Sequence, residues 1–387
     1  MNKRKIINDP VYGFTTIPDE LIYDLIQHPY FQRLRRIRQL GLTDYVYPGA
    51  THSRFQHALG ALHLMTIAID SLRSKGVEIT EKEAQGAMIA ILLHDIGHSP
   101  YSHALEKKII PLKHETLSLM FMKELNDEFD GKLSEAINIF SNKHPKRFLS
   151  QLVSSQLDVD RMDYLNRDSF FTGVAEGVIG YERIIKMLSV VDNQIVVEEK
   201  GIYSIEKFLQ SRRIMYWQVY LHKTVLAAEK MLIHWFGLLL QDPMRDKALP
   251  NLKKILSNDP KIKERKKLLK LYANIDDTDI ISALKFSLNS RNSNIQVLAN
   301  GLLNRNLFKC QLSDHSFSKS FIRNCKKKSE YPDLVFIGRE SNEGYTIDAN
   351  EIMILLKDSN KSLVSLSKTS QFNIKSGLEI KHYIIYY

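Results

Sequence analysis

Cysteine is nearly absent. Cys310 and Cys325 are the two in 387 residues, enough for at most one bridge. That excludes a disulfide scaffold and a cysteine-rich zinc site, so any metal must rest on His, Asp or Glu. The same scarcity fits a reduced, cytoplasmic protein. Long apolar runs are missing too. The stretches 87–93 and 231–240, the second interrupted by His234, fall well short of the ~20 residues a bilayer span requires. The basic start MNKRKIINDPVYGF has no apolar run behind it and does not read as a secretory signal. No internal repeat or low-complexity segment is present. Acidic residues are outnumbered: Asp plus Glu is 44 and Lys plus Arg is 54, so the net charge is 54 − 44 = +10. The excess favours nucleotides, nucleic acid or acidic proteins as partners without choosing among them. What remains is ordinary globular usage, 44% apolar and 25% charged. The length suits roughly two domains or one large core with an appendage.

Periodicity predicts a mainly α chain that changes character near residue 305. Pro18, followed by Asp19 and Glu20, opens a helix to 27, with acids placed to suit the dipole. Pro29 opens another, where Phe31, Leu34 and Ile37 recur at helical spacing among Arg33, Arg35, Arg36 and Arg38. Those arginines form either a solvated face or a phosphate site at a subunit interface. His57, Gly60, Ala61, Leu64 and Ile67 make an apolar stripe. The segment 83–93 is apolar nearly all round near its end, which places it centrally. Helices are expected over 114–125 and 146–163, a hairpin over 190–198 turning at Asp192-Asn193, and one long helix over 204–240. Further on, 307–312, 334–337, 352–357, 363–366 and 380–386 read as strands, 318–328 as a helix and 358–360 as a hairpin loop. The expected organisation is a helical core over 1–240, a lysine-rich helical extension over 241–304 and a small α+β unit over 305–387.

The chemistry-bearing residues concentrate between 39 and 222. HSRFQH holds His52, Arg54 and His57; LLHDIGHSPYSHALE holds His94, Asp95, His98, His103 and Glu106. His114 and Glu115 follow, and DVDRMDY holds Asp158, Asp160, Asp163 and Tyr164. A buried helix that ends in adjacent His94 and Asp95 is costly unless those groups are paired or bind a metal. Alone, the pair could be a helix cap. With His98 and His103 within ten residues, His57 upstream and Asp160 downstream, the mixture points to a divalent metal site with positions open for water and substrate. Manganese, iron, nickel, zinc and magnesium all remain open as its occupant. His52 is either a pocket group or a support of the 48–54 loop.

These motifs resemble the HD-domain phosphohydrolases, and within them the deoxynucleoside triphosphate triphosphohydrolases. INDPVYG, FQRLRRIRQLG, YVYPGATHSRFQHALG, LLHDIGHSPYSH and DVDRMDYLNRD carry the resemblance over roughly the first 240 residues. The resemblance implies an HD-domain helical core with His57, His94, Asp95 and Asp160 as metal ligands. It implies Arg54 on the α-phosphate and His103 serving the leaving 5′ oxygen. Glu106, three residues on along the same helical face, would orient His103, as a histidine acid needs a carboxylate to hold its tautomer. His98, His114 and Glu115 would line the phosphate end. Gln39 and Leu40 would meet the deoxyribose and base, Tyr164 and Asp168 the sugar near its 3′ hydroxyl. Arg212 would bind the γ-phosphate and Tyr220 crowd the 2′ position. Arg161 stands where the family commonly has lysine, replacing a point charge by a fork. Gln27 stands where activated relatives carry the acid that reads a guanine activator, although Lys5 and Asn8 of the activator lead-in are retained. A homo-oligomer, dimer or tetramer, is implied by the same resemblance. The competing readings are a phosphohydrolase acting on nucleoside monophosphates or phosphodiesters, and a nucleotide-sensing or nucleic-acid-binding module.

Overall fold

The helices that carry the site begin at well-made caps. Helix α1 (Arg54–Ser74) starts where the Gln56 amide oxygen accepts from the Ser53 backbone N–H at 2.8 Å. Helix α2 (Glu81–Leu93) has a reciprocal box, with Thr80 and Glu83 each satisfying the other's backbone N–H. Its last turns, Ile89 to Leu93, are fully buried, as the apolar run requires. Helices α3 (His114–Glu128) and α4 (Val159–Thr172) complete the frame; Asp158 caps α4 by accepting from the Arg161 N–H at 2.7 Å. The computed structural model describes residues 5–256, 264–343, 351–357, 362–370 and 378–387. Over these it is mainly helical, with a small α+β region towards the C-terminus.

Two glycines decide how closely the frame packs. A β-carbon on Gly60, in α1, would collide with the Asp163 and Arg167 side chains of α4. One on Gly97 would collide with the backbone of the first turn of α3. Glycine at both places lets α4 lie against α1 and lets α3 dock on the turn that follows α2.

The N-terminal hairpin pairs β1 (Ile6–Asp9) with β2 (Gly13–Thr16). Strands β3 (Leu188–Val191) and β4 (Gln194–Glu198) form the expected second hairpin. Asp192 and Asn193 sit at φ of 49° and 61° in its turn, which Asp and Asn tolerate best after glycine. The later strands are β5 (Lys309–Ser313), β6 (Phe336–Glu343), β7 (Met353–Leu355), β8 (Leu363–Ser365) and β9 (Leu378–Tyr386). Among the described residues, β9 is the centre of a three-stranded sheet between β5 and β6. β7 and β8 instead extend the β3–β4 hairpin, β7 running parallel to β4. The residues beyond 305 are therefore divided between two sheets, one shared with 188–198.

Several local expectations are corrected. The 204–240 segment is not one helix: α5 (Ile202–Met215) passes into a π-turn at Tyr216–Tyr220, and α6 (Lys223–Gln241) starts afresh with His222 as its cap. The 146–163 segment divides at 154–158, where the chain turns to set the Asp158 cap. Residues 99–112 are successive turns, with Tyr101, Ser102 and Lys107 at positive φ, so His103 and Glu106 do not share a helical face. Of the arginines at 33–38, Arg35 stays exposed over the Phe55 ring, and the other three are committed to partners within the chain. Arg33 is fully buried and donates to the Ile275 and His98 carbonyls at 2.9 Å; Arg36 pairs with Asp276 and Arg38 with Asp44. Arg33, Arg36 and the Arg38 backbone N–H, which donates to Asp277 at 2.9 Å, staple this segment to the 275–277 turn. The hairpin loop expected at 358–360 lies outside the described residues.

Candidate active site

Three donors from three helical segments converge. The Nε2 atoms of His57 and His94 stand 3.3 Å apart. Asp160 Oδ1 is 3.1 Å from the first and 3.5 Å from the second. The tautomers follow from the other ring nitrogens. His57 Nδ1 donates to Asp163 at 2.7 Å, and His94 Nδ1 donates to the Ile91 carbonyl at 2.6 Å. Both Nε2 lone pairs in the neutral rings are thus turned toward one point beside a carboxylate. Acceptors facing acceptors repel unless a cation lies between them. Without a cation, a proton relieves the repulsion instead: burial alone would lower the His57 imidazole, but Asp160 and Asp163 raise it to about 10. Burial likewise opposes the ionised Asp160, yet His57 and His94 hold its carboxyl far below the usual range. Two imidazoles and a carboxylate form a donor set that fits a divalent transition ion, with Asp163 and the Ile91 carbonyl fixing the two rings.

Asp95 adjoins this cluster. Its Oδ1 is 3.4 Å from His94 Nε2 and 3.1 Å from His98 Nε2, and its Oδ2 is 3.7 Å from His57 Nε2. The same Oδ2 accepts from Arg54, whose Nε donates to Ser102 Oγ at 2.8 Å. Burial would raise Asp95, but Arg54 first, then His94 and His98, hold it well below its ordinary value. An arginine and a second carboxylate are therefore fixed at the edge of the donor cluster.

A second group of histidines lies beyond. His98 and His114 stack with centroids 3.9 Å apart and planes 20° from parallel; His103 is edge-on to both at 5.0 and 5.4 Å. Imidazole lone pairs lie in the ring plane, so stacked rings aim them along parallel lines and do not share an ion. This group is suited to moving protons and binding anions. Glu106 is divided within it. It accepts from the His114 backbone N–H at 2.9 Å and from His114 Nδ1 at 2.8 Å, but is 3.5 Å from His103 Nδ1. Its hydrogen bonds to His103 and His114 hold its carboxyl far below normal despite burial. Glu106 thus orients His114 more tightly than His103. Glu115 is 3.7 Å from His114 and exposed.

Across the pocket, Asp168 Oδ2 accepts from the Tyr220 hydroxyl at 2.7 Å and Oδ1 meets His52 Nε2 at 2.8 Å. Tyr164 stands edge-on to Tyr220 with centroids 6.2 Å apart. Burial first, then Asp168, pushes the Tyr220 phenol well above its ordinary value, so it remains a donor. Arg212 donates to Gln156 at 3.1 Å and lies within electrostatic reach of Tyr164. Arg161 is drawn onto the Asp158 cap at 3.0 Å, away from a free fork. Gln39 is buried with its side-chain oxygen unpartnered, and Leu40 packs half-buried on the core. Lys5 stands over the Tyr23 ring and Gln27 is exposed.

Sequence reasoning gave no role to the layer behind the ligands. Asp163 receives His57 on one side and a two-pronged Arg167 at 2.9 and 3.0 Å on the other, and Arg167 pairs with Asp9 at 2.9 Å. Asp9 thereby ties the N-terminal turn to His57 through Arg167 and Asp163. The available signal was spacing: Asp160, Asp163 and Arg167 fall at intervals of three and four in one helix. His52 is wholly buried, its ring stacked on Phe171 with centroids 4.6 Å apart and its Nε2 2.8 Å from Asp168, so it backs that carboxylate.

Two family models match the chain, the HD domain over residues 54–168 and the HD associated region over 179–354. The chain belongs to the HD-domain phosphohydrolases. A crystal structure of a phosphohydrolase from Bacteroides thetaiotaomicron VPI-5482 superposes with a TM-score of 0.92 at 44% identity, covering 100% of both chains. The Bacillus subtilis (strain 168) protein YwfO is 33% identical over 319 residues, 80% of this chain and 72% of that one. The Dictyostelium discoideum deoxynucleoside triphosphate triphosphohydrolase SAMHD1 homolog is 33% identical over 339 residues, 77% of this chain but 65% of that protein. Among the described residues no helix is long and apolar enough to cross a membrane.

Proposed function

We propose that the protein hydrolyses deoxynucleoside triphosphates to a deoxynucleoside and inorganic triphosphate. The observation that carries this reading is the placing of a metal-type donor cluster, a buried arginine and a proton-handling histidine group against a wall of Tyr164, Asp168 and Tyr220. The likeness to relatives named as triphosphohydrolases supports it. A divalent ion held by His57, His94, Asp160 and Asp95 would supply Lewis acidity to a phosphate oxygen and to the attacking water.

The chain's own groups do the rest. Arg54 neutralises charge on the α-phosphate beside Asp95. Water oxygen bonds to the α-phosphorus, the bond from phosphorus to the 5′ oxygen breaks, and His103 gives that oxygen its proton. Glu106 and His114 form the relay from which His103 is replenished. Arg212 holds the far phosphate, and Asp168 fixes Tyr220 where a 2′ hydroxyl would stand. A homo-oligomer and a nucleotide activator belong to the same reading by kinship with those relatives.

Turnover of dNTPs with added manganese, followed by chromatographic separation of products, tests the proposal. Deoxynucleoside with triphosphate is the expected pair. Release of monophosphate or of single phosphates would point to a different phosphoester.

A further inference from the structure

Glu229 has no part in the mechanism above, yet its setting is unusual for an acid. It lies in α6, and its helix neighbour Lys230 is taken by Glu340 of β6. Glu229 itself has no hydrogen bond or ion pair among the described residues. Its Oε1 is 3.8 Å from the point where a β-carbon on Gly41 would stand, with the Tyr101 carbonyl 3.3 Å from the same point. Gly41, at a φ of 53° that favours glycine, leaves that side of the carboxyl bare. Burial pushes the acid up to about 7, with Lys230 and His103 acting against it. The group is therefore half-buried between the Leu40–Gly41 wall and His103. Those are the two features assigned above to the base and to the leaving oxygen.

A half-buried carboxylate without a donor calls for a ligand edge rich in N–H groups. An ionised carboxylate is best matched by two parallel donors. Of the four DNA bases only guanine offers them, at N1 and the N2 amine. Adenine and cytosine place an acceptor beside their amine, and thymine sets one N–H between two carbonyls. A half-buried carboxylate facing an acceptor is left unsatisfied, and that penalty is the basis of discrimination. We propose that Glu229 is a specificity-determining residue that reads the Watson–Crick edge of guanine, making dGTP the favoured substrate. This inference rests on the dNTP reading of the site.

The test is kcat/KM for dGTP, dITP, dATP, dCTP and dTTP in the wild type and in Glu229→Gln, with metal content and melting temperature as controls. Deoxyinosine triphosphate lacks only the N2 amine and so tests the contact without any mutation. The wild type should favour dGTP over dATP and dITP by roughly ten- to a hundredfold, the range of one good bidentate contact. Glu229→Gln should bring dGTP down to the level of dATP. Equal use of dGTP and dITP by the wild type, or a parallel loss on all bases in the variant, overturns the proposal. Absence of turnover on every dNTP overturns the reading beneath it as well, and is told apart by that breadth.

Discussion

His57 stands inside α1, fully buried, and His94 caps the end of α2, each with its Nδ1 already committed, whereas His98, His103 and His114 ride on turns and on the first residue of α3. The His57 side chain is 0% exposed and that of His103 is 68% exposed. The first group is backed by Asp163, Arg167 and Asp9, all buried; the second shares one carboxylate, Glu106, between two rings. A cluster that must hold an ion gains from rigid, over-determined ligands. A group that must pass a proton gains from a ring that can reach substrate and solvent.

Mutations should separate these two groups. The largest effect is expected at the rigid cluster: Asp160→Ala should lose the metal and reduce dNTP turnover to background, and chelation of the wild type should both stop activity and lower the melting temperature. Metal analysis alongside calorimetry checks both. His103→Ala should keep the metal and melting temperature but lose about 10²–10⁴ in rate, and equal metal loss in the two variants would erase the distinction. Asp163→Asn, which removes the charge behind the His57 Nδ1 hydrogen bond, should weaken metal binding by about 10- to 100-fold. Asp163→Ala should in addition cost about 3–5 kcal/mol of stability, because Arg167 is left buried with one partner fewer. The smallest effect is expected at the sugar wall: Tyr220→Ala should relax the preference for dATP over ATP by roughly tenfold, while Arg212→Ala raises the triphosphate KM without changing that preference. Steady-state kinetics on both sugars decides it.

The donor residues were legible because histidine and aspartate at the end of an all-apolar helix have few inexpensive explanations. The mainly α core and most C-terminal strands were legible from period alone, to within a few residues. Sheet partnership was not, since alternation in 352–357 carries no information that its partner is 194–198. The break in 204–240 was hidden because no glycine or proline marks it. It is the tertiary contact of Tyr216 with the Ser341 carbonyl at 3.2 Å, and the His222 cap, that accompany the interruption. The turns at 99–112 were half legible from Pro100, but positive φ at Tyr101, Ser102 and Lys107 leaves no mark in composition. Asp163 was in view as a residue and unread as a support, because spacing alone does not tell a ligand from the group behind it.

Solvent oxygen-18 addresses the central claim most directly. Turnover of dGTP in labelled water by the manganese-loaded protein should place one label in the triphosphate and none in deoxyguanosine, as attack on the α-phosphorus requires. Label in the nucleoside, or in released monophosphate, would contradict it.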